Sequence, residues 1–169
     1  RAIPLLGDVV DSLGFGFAQV RAGLVGGGVF LADGCEILII TSVSDAVGDH
    51  WGLCPFEKGL IVSMVFMGVF LGNLISGPIG DNWGRRHIII ASYVGLFVFG
   101  LVSSLSRNLS ELCIARFCVG FFYGVGQPAW NALGAELTPS NKRELMMGLS
   151  LSLFEVGEMY SCLLLMADD

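Results

Sequence analysis

Seven residues set in otherwise apolar stretches have side chains suited to binding or proton exchange. Asp33 and Glu36, spaced i, i+3, share one helix face that continues through Ile40 and Ser44. Glu155 and Glu158 repeat that spacing near the other end of the chain, aligned with Gly148, Ser152 and Cys162. Between the two pairs, Arg116, Gly120, Gly124, Gln127 and Asn131 fall within about one quarter of a helix circumference and form a polar and small stripe. An ionised group in hydrocarbon costs about 3 kcal/mol on insertion scales. Arg116 therefore needs a carboxylate or a water-filled path, and the four carboxylates together with it are candidates to meet near mid-membrane. Removal from water favours the neutral form of a carboxyl, which is what a proton-coupling site requires. Gln127 and Asn131 add groups able to hydrogen-bond a polar solute.

The elements that must position these side chains are membrane helices. Of the 169 residues, 54% are hydrophobic and only 14% charged, against about 25% charged in an ordinary water-soluble domain. Mean hydropathy is +0.74. The hydrophobic residues come in long blocks rather than in the periods that bury a single face, which excludes a soluble core. Five blocks reach the roughly 20 residues needed to cross a bilayer: residues 22–44, 59–79, 88–105, 112–135 and 145–166. The expected fold is all-α, a multi-pass helix bundle behind an amino-terminal segment, residues 1–21. Short polar connections at residues 45–58, 81–87, 107–111 and 138–144 make consecutive helices antiparallel neighbours.

The net charge of -6 predicts no partner, because what matters in a bilayer is which connection holds each charge. Arg1, Arg21, Arg85, Arg86, Lys142 and Arg143, six of the nine basic residues, fall on one side. The positive-inside rule then places the amino terminus, residues 1–21 and the second and fourth connections in the cytoplasm, with Asp168 and Asp169 outside. Which membrane, plasma or vesicle, is left open. No cleavable signal peptide is expected, and both ends read as truncations. Five cysteines lack metal-like spacing and read as small buried hydrophobes, a Cys54–Cys113 bridge near the outer surface being the alternative. No metal or other cofactor is expected. His50 and His87 sit on opposite faces, and there is no nucleophile elbow, metal-ligand cluster or phosphate loop, so the chain is not expected to be an enzyme. It has no basic patch for nucleic acid.

One connection carries more than sidedness. Gly77, Asp81, Gly84, Arg85 and Arg86 match G-x-x-x-D-(R/K)-x-G-(R/K)-(R/K), and on them the chain resembles the major facilitator superfamily, whose signature this is between its second and third helices. Asn82 departs from the basic residue usual there. Arg116, Gly120 and Gly124 fit the R-x-x-x-G-x-x-x-G pattern of the fourth helix in sugar and organic-ion porters, and Glu136, Pro139 and Arg143 resemble the E-x-x-P-x-x-x-R element that closes it. The lead-in Gly14-Phe15-Gly16-Phe17 with Gln19, the acidic pair of the first helix, and Gly157, Glu158 and Tyr160 in the fifth look like relatives of the synaptic vesicle glycoproteins. The resemblance implies the amino-terminal half of a facilitator, with Glu136 paired to Arg85 or Arg86 as a cytoplasmic gate. The small residues Gly120 and Gly124 also serve close helix approach.

The function this implies is secondary transport of small organic ions or polar solutes by alternating access, with proton coupling through the internal carboxylates. Its partners would be the lipid bilayer, a small-molecule solute, protons and a carboxy-terminal half. A receptor or trafficking protein of the same fold is the alternative, as is a partial chain without activity of its own. Substrate, coupling ion, direction and oligomeric state lie beyond the sequence.

Overall fold

A computed structural model describes residues 6–168, all of them in helices or short turns. The elements are α1 (Leu6–Leu13), α2 (Phe17–Gly26), α3 (Gly28–Trp51), α4 (Pro55–Trp83), α5 (Arg85–Ser104), α6 (Leu109–Leu137), a 3-10 turn (Ser140–Lys142) and α7 (Arg143–Asp168). Five units are long and apolar enough to cross a membrane: α2 with α3 as Phe17–Trp51, then α4, α5, α6, and Ser140–Ala167. Arg1 and Asp169, used above as charge markers, lie outside the described residues. Large apolar side chains such as Phe66, Phe70, Phe97, Leu101, Leu151 and Leu163 stay exposed on the outside of the bundle, as lipid-facing positions do.

The helices outrun the apolar blocks. Residues 45–51, polar in sequence, continue α3 to Trp51, because Lys58 reaches back from α4 to Asp49 (2.9 Å) and Asp45 (3.6 Å). Its aliphatic stem lies over Gly48, where a β-carbon would strike it. The chain reverses at Gly52, whose φ of +66° is left-handed, and Glu57 caps α4 by accepting from the Cys54 N–H at 2.9 Å. Between α4 and α5 only Gly84 breaks the helix, at φ +83°. The expected turn at residues 81–87 is otherwise helical. Cys113 is buried in a cluster with Ile61 and Leu112 while Cys54 is exposed, and both are free thiols, so the Cys54–Cys113 bridge does not form.

Glycine sets the packing. On α4, Gly68 and Gly72 face the carbonyls of Phe117 and Phe121; on α6, Gly120 and Gly124 face those of Val65 and Val69. A β-carbon at any of the four would overlap backbone, so the two helices cross with their main chains in contact. Ser76, one turn past Gly72, closes the stripe by donating to the Val125 carbonyl at 2.7 Å. The seam between α3 and α7 is built the same way, Gly34 against the Phe154 carbonyl and Gly157 against that of Leu31. Ser161 donates across it to the Cys35 carbonyl at 3.0 Å. Helix α5 lies along α6 with the Phe122 ring over Gly95 and Ser92 under Gly126. In the resulting bundle α6 is central, carrying buried Arg116, Val119, Tyr123, Val125 and Trp130.

Candidate functional site

Arg116 is 7% exposed. The α4–α6 crossing fixes its helix, and its guanidinium is directed at α3, where it forms an ion pair with Glu36. Its Nε has no hydrogen-bond partner among the described residues. Beside the pair is a cavity of about 120 Å³, lined by Asp33 and Glu36 of α3, Val65 of α4, Leu96 of α5, and Gly120 and Tyr123 of α6. Asp33 and Tyr123 line this cavity together, and from α7 the backbone at Glu158 comes close to α3. The α3–α7 seam explains that approach: Gly34 leaves room for the α7 backbone, including the Glu158 nitrogen, which would lie 3.1 Å from a β-carbon there.

Not every side chain of the expected constellation arrives. Glu155 is exposed and forms no ion pair among the described residues. One helical step of three residues is enough to carry it off the seam that holds Glu158. Gln127 is half-buried, and Asn131 lines a shallow cleft between α6 and α7 with Trp130, Arg143 and Ser150. Sharing a helix face with Arg116 does not give them its depth: 15 residues of helix separate Asn131 from it by roughly 22 Å. The structure brings together Asp33, Glu36, Arg116 and Tyr123, with Glu158 partly buried on the α7 side of the seam. The sequence signal for Tyr123 was a phenol in an apolar run, which needs a polar partner when buried.

At the far end of α6, Arg85 forms an ion pair with Glu136 at 2.8 Å and lies 4.0 Å from Asp81. Gly84 allows the sharp redirection that brings Arg85 to this position, while Gly77 has open space around it. Arg86 is exposed and forms no ion pair among the described residues; it borders both the cleft at Glu136 and an apolar groove shared with Ile89, Tyr93 and Trp130. Arg143 is exposed, forms no ion pair among the described residues, and has its charge near Asp11. The Asp11 carboxylate of α1 accepts from the Ser140 N–H (2.7 Å) and hydroxyl (3.0 Å), a contact nothing in the sequence announced. Those two donors, with Arg143 nearby, hold its carboxyl below the ordinary carboxylate value. No group of three or more potential metal ligands occurs among the described residues.

Within the first span, Gly27 interrupts the helix between α2 and α3. The Tyr93 hydroxyl, reaching over from α5, donates to the Val25 carbonyl at 2.5 Å and lies 3.3 Å from that of Gly26. It satisfies backbone that the break exposes at membrane depth.

The apolar helices thus cross on glycines around a buried ion pair, with the basic turn of Arg85 and Arg86 at one end of the bundle. Residues 25–166 match the family described as Major Facilitator Superfamily, and the chain belongs to it. It is a multi-pass membrane chain. Among similar proteins are svop-1 of Caenorhabditis elegans, 29% identical over 93% of this chain and 30% of its own length; organic cation/carnitine transporter 7 of Arabidopsis thaliana, 31% identical over 90% and 30%; and a gallate transporter of Pseudomonas putida, 27% identical over 76% and 29%. The chain spans less than a third of the length of these relatives.

Proposed function

We propose that this chain forms the amino-terminal part of a secondary transporter that moves small organic ions or polar solutes by alternating access, coupled to protons. The observation that carries the reading is the Glu36–Arg116 pair, buried between two spans beside the cavity that holds Asp33. Buried ion pairs cost more in desolvation than apolar packing would, and inside a membrane such groups mark solute and ion paths. The two α3 carboxylates divide the work. Glu36 is held by Arg116 as a fixed ion pair. Asp33 has no ion pair to a cation among the described residues and lines the cavity beside the pair, the position in which an intramembrane carboxyl can take up and release a proton. Asp33 is therefore the coupling carboxylate.

The amino terminus lies in the cytoplasm on the positive-inside rule, so Arg85, Asp81 and Glu136 form a cytoplasmic gate. Gln127 and Asn131, further toward that gate, offer hydrogen bonds along the path. A carboxy-terminal bundle completes the cavity, and no catalytic step is involved. Uptake by the full-length protein carrying Glu36→Gln or Arg116→Gln tests the reading. Both substitutions should abolish uptake while the protein still reaches the membrane. Wild-type, pH-dependent uptake in both would refute the site.

A further inference from the structure

Asp11 and Ser140 are 129 residues apart in the chain, yet the Asp11 carboxylate takes both donors that Ser140 offers, its N–H at 2.7 Å and its hydroxyl at 3.0 Å. Ser140 opens the 3-10 turn that leads into α7. The connection it belongs to is gripped from two sides. Glu136, before the buried Thr138, is bound by Arg85 from the α4–α5 turn; Ser140, after it, is bound by Asp11 from α1. Thr138 itself is tied to the Gly134 carbonyl at 2.7 Å. The groups facing Asp11 are Ser140 and Arg143.

The chain that follows Asp11 out of α1 is equally defined. Gly14, at φ +71°, turns the chain. Gln19 spans that turn, accepting from the Gly16 N–H at 3.0 Å and donating to the Gly14 carbonyl at 3.4 Å. Phe15 packs against the core cluster that contains Trp130 and Met146. A displacement of α1 is thereby passed to the start of the first span.

We propose that α1 is a strap that couples the start of the first span to the start of the fifth, with Asp11 as its hook and Ser140 as its catch. Because α7 then runs along α3 to the level of Glu158 and Asp33, the strap governs how firmly those two carboxylates are held in register. Its role stands apart from transport and is tested without it. Backbone hydrogen exchange of the protein in lipid nanodiscs should show, for Asp11→Ala, about tenfold faster exchange both at residues 8–13 and at residues 140–143. Ser140→Ala should show a smaller rise, since its backbone N–H still donates, and Asp11→Asn an intermediate one. The double variant should exchange no faster than Asp11→Ala alone, with α4 and α6 unchanged in all four. Unaltered exchange at residues 140–143 in Asp11→Ala, or additive effects in the double variant, would overturn the proposal.

Discussion

Arg116 on α6 is neutralised by Glu36 on α3, a residue 80 positions earlier in the chain. Removing either partner strands the other charge, and Arg116 is the more deeply buried of the two. Glu36→Gln and Arg116→Gln should each destabilise the bundle by about 3 kcal/mol. The double variant should recover most of that stability and still fail to transport. Thermal unfolding in detergent, compared across the three, reads the coupling.

The α4–α6 crossing gives a prediction of packing alone. Gly120→Ala or Gly68→Ala places a methyl group against a backbone carbonyl of the facing helix, which cannot yield as a side-chain tip can. Each should cost about 1 to 3 kcal/mol. Gly77→Ala, with open space around it, should leave the melting temperature unchanged, although Gly77 belongs to the same signature as Gly84.

Arg85 and Glu136 are half-exposed, and exposed pairs contribute only about 0 to 1 kcal/mol. Glu136→Gln should therefore barely change stability and should raise the reactivity of a cysteine introduced at Asn131 toward a membrane-impermeant thiol reagent. The exchange Arg85→Glu with Glu136→Arg should restore protection. A large loss of stability in Glu136→Gln would mean that the pair holds the fold instead of biasing a conformational balance.

Asp11 predicts a pH response. Its folded-state carboxyl is held below the ordinary aspartate value by the Ser140 N–H and hydroxyl, with Arg143 nearby. A depressed carboxyl contributes stability that is complete above its unfolded value and is lost as pH falls through its folded value. Protection of α1 against exchange, corrected for the intrinsic rate, should thus be flat from about pH 5 to 8 and fall below about pH 4. Asp11→Asn should abolish the acid step.

Hydropathy blocks and turn residues were enough to place five helices and their order, because each span must satisfy its own backbone in lipid. The ends were less legible. Asp45, Asp49, Asp81 and Asn82 read as loop on polarity, whereas in the fold they sit on helical turns extending beyond the apolar blocks. Tertiary pairing was hidden for a related reason. Asp33 and Glu36 share a face, so spacing alone does not say which meets Arg116. Glu158 rather than Glu155 is selected by the Gly34 and Gly157 contacts of a seam between distant segments. The spacing of Gln127 and Asn131 sets their face on the helix but says nothing of their distance along it from Arg116. The Asp11–Ser140 contact has no local signature, since an aspartate near a chain end and a serine after a proline are common in solvated turns.

The division between a fixed Glu36–Arg116 pair and an exchangeable Asp33 is tested most directly by Asp33→Asn in full-length protein reconstituted into liposomes. Solute accumulation driven by a pH gradient and solute-for-solute counterflow without one are measured in the same preparation. The account predicts that accumulation is lost while counterflow persists, because the cavity keeps its ion pair and loses only its titrating group. Accumulation with wild-type pH dependence in Asp33→Asn would contradict it.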